Sequence, residues 1–289
     1  MNPAWPWPLA HPDAYRILST LLKVLRGIPV TGWEASCKFG PQGMLPGRLL
    51  TGFSPRGVSR RYLEGLPRHL GMPEEIARIF AGEWSRCSRV LLGYESGITD
   101  TILKVYLEYP LPAAGKTRQA CLAIRGFKWK PDDGVADWHE ARYWCLSGLT
   151  PSEARKRLLE SMPKQAEWIV LQTWLAEALE QACRKAGNWP HFQIMNSRDA
   201  TSPRNTINLR FYDSGLTVHG LSQGVRQLGS DWGLPAAETE RFLMATRNRE
   251  IGWLQAGIGV DQHPFLTLYC AATRADARMA LLNADDSTG

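Results

Sequence analysis

The sequence predicts a closed antiparallel barrel of ten β-strands with α-helices packed around it, and three observations lead there. Strand-like segments come as five hairpin pairs with helical stretches between them, at a period of roughly fifty residues that suggests a repeated unit. Charged and tyrosine side chains recur at every second position: Lys104, Tyr106 and Glu108 in TILKVYLEY, and Asn208, Arg210 and Tyr212 in TINLRFY. Hairpins repeated in this way can close on themselves and leave no free edge. A polar face turned inward then lines a lumen suited to a charged ligand, whereas the same face turned outward simply meets water. An open α+β sheet fits the pattern equally well, and the periodicity alone does not choose.

Taken in order, a helix over about 12–27 precedes GWEASCKFG and GRLLTGFS, which are separated by the turn-rich PQGMLP. Helical sequence follows over 59–84, broken near Gly71 and Pro73, and the basic RGVSRR at 56–61 reads as its solvated start. SRVLLGYES pairs with TILKVYLEY across Gly97 to Asp100, and ACLAIRGFKW pairs with EARYWCLSG across the PDDG of 131–134. The Pro- and Gly-rich PLPAAGKTRQ links these two hairpins. TPSEARKRLLESM opens with a Thr-Pro-Ser-Glu start signal, and 164–185 carries apolar spacing at Trp168, Leu171, Leu175 and Leu179. HFQIMNSRD with TINLRFYDSG leads to helices at 218–228 and 235–248; EIGWLQAGIG with FLTLYCAAT turns at the VDQHP of 260–264, and a short helix runs from Arg274 to Leu282.

Hydrophobic residues at 44%, charged residues at 21% and twelve tryptophans describe a globular chain with large aromatic surfaces to bury, and nothing forces 1–289 to split into two domains. The net charge of +6 is spread along the whole length, which argues against a nucleic-acid stripe and for a phosphorylated small molecule held by separated cations. Six cysteines lie far apart with no CxxC pair, as buried free thiols of a reducing compartment do. No apolar run reaches about eighteen residues and the start lacks signal-peptide character, so a cytoplasmic location is expected.

Within the first hairpin Glu34, Ser36 and Lys38 share one strand face, and Arg48, fourteen residues after Glu34, is expected near the mouth of the same lumen. A carboxylate in a half-buried aromatic site can act as a general base, because burial raises its proton affinity; an ion pair of Glu34 with Lys38 or with a neighbouring strand is the plainer reading. Arg48, Lys104 and Arg210 offer three cations from three hairpins, an arrangement that can grip a diphosphate. Tyr106, Tyr212 and Tyr269 stand beside them, and aromatic faces can shelter a carbocation. His139 and Glu140 lack the second histidine of a zinc-protease helix, and no phosphate-loop or dinucleotide-binding glycine pattern follows a strand. Ser36 has no evident triad partners, and the paired aspartates lie in loops and not on one helix face.

WEASCKFG followed by LPGRLL, the Lys-x-Tyr strand LKVYLEY and the late EIGWLQAGIG hairpin resemble the cyanobactin-type peptide prenyltransferases of the ABBA superfamily, over nearly the whole chain in order and spacing. EASCK with its downstream arginine is the specific motif. The resemblance implies a ten-stranded barrel inside a ring of helices that moves a dimethylallyl or geranyl group from its diphosphate to a Trp, Tyr, Arg or His side chain of a ribosomally made, macrocyclic peptide. It makes Glu34 the catalytic base, and Arg48, Lys104, Arg210 and Tyr212 the diphosphate ligands. Tyr106 and Tyr269 become the carbocation shield, Phe192 and Gln193 the wall limiting donor length, and Arg198 a further cation. It also implies magnesium, and neither a nucleic-acid nor a membrane partner.

Two departures stand out. Glutamine at 193 replaces the bulky aromatic that restricts the family's donors to five carbons, and Tyr106 stands where some peptide-prenylating relatives carry histidine, which brings this strand closer to the indole-prenylating branch. Prenylation of a small aromatic metabolite, or a non-catalytic carrier of an isoprenoid or phosphorylated ligand, are the competing functions. A carrier has no need of a carboxylate facing its ligand.

Overall fold

A computed structural model describes residues 12–97, 100–112, 119–131, 138–161, 166–186, 193–199, 205–259 and 261–278. Ten strands, β1 (Val30–Gly40), β2 (Gly43–Phe53), β3 (Arg89–Ser96), β4 (Thr101–Glu108), β5 (Cys121–Trp129), β6 (Trp138–Ser147), β7 (Gln193–Asp199), β8 (Asn205–Arg210), β9 (Ile251–Ile258) and β10 (Pro264–Ala272), close into one barrel. Every neighbouring pair is antiparallel, and β10 returns to β1 with Glu34 opposite Ala271 and Ser36 opposite Tyr269. Closure decides between the two architectures that the periodicity allowed.

The period-two pattern dictates which face goes where. On β3, Val90, Leu92 and Tyr94 are fully buried in the main hydrophobic core, while Arg89, Leu91, Gly93 and Glu95 alternate with them on the other face. Seven α-helices form the outer layer among the described residues: α1 (Pro12–Val24), α2 (Arg60–His69), α3 (Glu74–Glu83), α4 (Pro151–Ser161), α5 (Ala166–Ala186), α6 (Val218–Asp231) and α7 (Ala236–Thr246). Trp168, Leu171, Leu175 and Leu179 of α5 are all buried, each such side chain stabilising the fold by about 1.5–3 kcal/mol. Thr150 and Glu153 close a reciprocal cap at the start of α4: the Thr150 amide donates to Glu153 Oε2 at 2.9 Å, and the Glu153 amide donates to Thr150 Oγ1 at 3.3 Å. Ser59 caps α2, and Arg60 behind it is solvated.

Two boundaries differ from the sequence reading. PQGMLP is mostly strand, because the chain reverses just before Gly43, whose φ of +122° suits glycine, and a register shift between Ser36 and Lys38 absorbs Pro46. β8 stops at Arg210, so Tyr212 and Asp213 lie just past it, with Asp213 at φ +68°. The helix from Arg274 is described only to Arg278, and the turn segments PDDG and VDQHP lie partly outside the described residues. All six cysteines are free thiols. No helix among the described residues is long and apolar enough to cross a membrane.

Candidate active site

The barrel encloses a cavity of about 570 Å³ whose mouth is marked by exposed Thr31 and Gly32 and by Asp213. Glu34, Arg48, Lys104, Tyr106, Arg210, Tyr212 and Tyr269 all line it, brought together from β1, β2, β4, β8, β10 and the chain just past β8. The charges divide into two groups.

The inner group is built on Glu95. Arg48 and Lys104 are only 6% and 5% exposed; Arg48 Nη2 lies 3.2 Å from Glu95 Oε2, and Lys104 Nζ donates to the same oxygen. Lys128 stands opposite Lys104 in the β4–β5 register. Burial acts to raise the proton affinity of Glu95, but Arg48, Lys104 and Lys128 outweigh it and hold the carboxyl well below the usual range. Arg48 Nε is buried with no hydrogen-bond partner. A buried guanidinium N–H without an acceptor is costly unless an anion arrives to take it. Arg48 is therefore not at the mouth as expected: on the returning strand it faces Ser36, not Glu34, which sets it deeper.

Beside these cations the wall is polar and hydrogen-bonded. Tyr269 Oη donates to Gln255 Oε1 at 3.4 Å, Gln255 Nε2 donates to Thr206 Oγ1 at 3.3 Å, and Asn208 Nδ2 donates to the Met195 carbonyl at 3.1 Å.

The outer group surrounds Glu34. Burial raises the proton affinity of Glu34, Arg89 lowers it and Glu108 raises it, and the balance pushes its pKa up to about 7. The expected pairing with Lys38 does not form; Lys38 Nζ instead lies 4.8 Å from the centre of the Phe265 ring. Arg89 Nη1 is 3.9 Å from Glu108 Oε2, and Arg210 Nη2 bonds Asp213 Oδ2 at 3.0 Å. Arg210 thus belongs to the mouth, with its guanidinium 5.3 Å from the Tyr212 ring centre, while Arg48 and Lys104 share Glu95 farther in.

Between the two groups lies an aromatic and apolar compartment. Tyr106 and Tyr143 meet edge to face at 6.1 Å, Tyr212 and Trp253 at 6.4 Å, and Ala123, Ala141, Cys145 and Met195 are buried around them. Glycines make the room: a Cβ on Gly126 would come within 2.6 Å of the Tyr106 ring.

Sequence reasoning missed Glu95, Lys128, Arg89 and Gln255. The same alternation that singled out Lys104 places Arg89 and Glu95 on one face of SRVLLGYES, Gly126 and Lys128 on one face of ACLAIRGFKW, and Trp253 and Gln255 on one face of EIGWLQAGIG. Phe192 lies outside the described residues; Gln193 and Arg198 are described as backbone of β7 alone. Among the described residues no three His, Cys, Asp or Glu side chains gather to hold a metal ion, and the carboxylate of the inner group, Glu95, is already bound to cations. Among the described residues the side chains do not fit a protein-held magnesium.

No family model and no curated protein sequence matches this chain significantly. Solved structures do. The prenyltransferase PriB, in a ternary complex with L-tryptophan and dimethylallyl thiolodiphosphate, superposes with a TM-score of 0.56 at 14% identity over 91% of this chain and 92% of its own. The fold is that of the ABBA prenyltransferases. The 5-dimethylallyl tryptophan synthase from Streptomyces coelicolor shares the ABBA barrel with a TM-score of 0.53 at 14% identity, covering 91% of this chain and 94% of that one. AnaPT from Neosartorya fischeri gives 0.52 at 12% identity, over 84% and 78%.

Proposed function

We propose that this protein transfers a dimethylallyl or geranyl group from its diphosphate to an electron-rich side chain presented at the barrel mouth. The observation that carries the reading is the pairing, in one cavity, of a buried arginine with an unpartnered Nε and a carboxylate whose pKa stands at about 7. The first suits an anion and the second suits a base.

In this reading Arg48 and Lys104, with Lys128 close by, bind the diphosphate in the inner group. The allylic C–O bond breaks and its electron pair leaves with the diphosphate, whose added charge these cations stabilise. Tyr106, Tyr269 and Tyr143 flank the allylic cation and keep water from capturing it. The acceptor, held in the outer group, forms the new bond to the allylic carbon, and Glu34 takes the proton it loses. Arg210 and Tyr212 stand at the mouth, on the acceptor's side of the cavity. Magnesium, if bound with the donor, would add charge neutralisation to that of Arg48 and Lys104; the described side chains offer it no site of their own.

For the acceptor we infer a Trp, Tyr, Arg or His side chain of a ribosomally derived, macrocyclic peptide, acted on in the cytoplasm. The cavity volume suits a small donor plus one side chain, so the rest of a peptide would stay outside and cap the mouth. A free aromatic metabolite is the second reading, favoured by Tyr106 and by the tryptophan bound in PriB.

Incubation with dimethylallyl or geranyl diphosphate, magnesium and a panel of cyclic peptides and free aromatic amino acids tests this by mass spectrometry. Adducts of about 68 or 136 mass units are expected for one five-carbon or ten-carbon group. Tight donor binding with no adduct and no released prenyl alcohol would make the protein a carrier.

A further inference from the structure

The inner cations already hold an anion that belongs to the protein. Glu95 sits on β3 with its Oε2 shared between Arg48 and Lys104, and Lys128 lies near enough to lower its proton affinity further. Arg48 and Lys104 line the open cavity, and Glu95 bonds them from beside it. Three cations and one carboxylate leave a formal surplus of two positive charges where a diphosphate carries about three negative ones near neutral pH. Arg48 Nε is a buried donor left over for an incoming ligand.

We propose that Glu95 is a resident counter-anion: it shares Arg48 and Lys104 with the diphosphate, so that donor binding and diphosphate release proceed as an exchange of anions on the same two cations. The proposal rests on the diphosphate-binding reading above and goes beyond it. Without Glu95, clustered buried cations in the empty barrel would repel one another at a low effective dielectric constant, and they would hold the released diphosphate too firmly to let it go. With Glu95, the cations stay oriented in the empty state, and part of the attraction for the leaving anion is cancelled in advance. Glu95 is thus a positioning residue that acts through Arg48 and Lys104.

The sign of its effect separates this role from a merely structural one, because loss of a structural ion pair weakens ligand binding. Inorganic pyrophosphate, titrated by calorimetry into the full chain and into Glu95→Gln and Glu95→Asp, tests it. Gln keeps the shape and removes the charge, and pyrophosphate is expected to bind roughly tenfold more tightly. Asp withdraws the carboxylate by one methylene and is expected to tighten binding by about threefold, which keeps the test open should the Gln variant not fold. Prenyl transfer by either variant is expected to be inhibited at correspondingly lower pyrophosphate. Unchanged or weaker pyrophosphate binding in a natively folded variant would overturn the counter-anion role while leaving the function standing. A parent protein that binds no pyrophosphate at all would overturn both.

Discussion

Glu34 and Tyr212 meet over the bare α-carbon of Gly252. A Cβ at that position would stand 2.9 Å from Glu34 Oε1 and 2.5 Å from Tyr212 Cζ, so the two side chains share space that glycine alone leaves open. β1 and the chain just past β8 reach the same point because Phe211 N still bonds Gly252 O, at 2.8 Å, after the strand has ended. Glu34 and Tyr212 are therefore set by a third residue that has no side chain of its own.

Gly252→Ala is expected to drive the two apart, lowering transfer at least about tenfold and stability by about 1–3 kcal/mol, as overpacking does. Steady-state kinetics with a thermal melt would show it. Wild-type turnover in the variant would mean that the placement of Glu34 is not demanding.

Glu34 ionises near pH 7, so activity is expected to rise through that pH and the limb to vanish in Glu34→Gln, whose donor binding stays intact. Stability carries the opposite sign. The folded value lies above the unfolded one, so the parent is favoured by this group below about pH 4.5 and loses up to roughly 3 kcal/mol as pH rises through about 7, a loss the Gln variant does not share. Denaturant melts across pH 4 to 9 check it.

Arg48→Ala and Lys104→Ala are each expected to weaken donor binding by at least about tenfold, since each removes a buried charge from the anion's site. Fluorescence titration with a non-hydrolysable donor analogue measures this; unchanged affinity would remove the inner group from the reaction.

Tyr106→Ala is expected to open the aromatic compartment to water, so that donor is hydrolysed to prenyl alcohol in place of being transferred. The ratio of alcohol to adduct reads the shield directly. Gly126→Ala, by displacing the same ring, should shift the ratio the same way.

One prediction concerns stability alone. Arg249, 4% exposed, is bonded to both carboxylate oxygens of Asp276 and to the Ala271 carbonyl of β10, at 2.6–3.0 Å. Asp276→Ala leaves that charge buried without its partner and is expected to cost about 3–5 kcal/mol in urea unfolding, with the cavity chemistry untouched.

The alternation of Lys104 with Tyr106 and of Asn208 with Arg210 was enough to mark polar strand faces, and the free cysteines and the capped start of α4 were legible in the same way, because each depends on neighbours a few residues apart. The sequence by itself determined that these strands have two faces and that five hairpins exist to carry them. Only the tertiary structure decided that the hairpins close, that Arg48 sits deep beside Glu95 while Arg210 guards the mouth, and that Glu34 stands apart from Lys38 with Arg89 as the cation acting on it. Those outcomes depend on strand register, on the shift that absorbs Pro46 and on contacts between residues such as Glu34 and Gly252 that lie far apart in the chain. Local periodicity fixes which way a side chain points, and only closure of the barrel fixes what it points at.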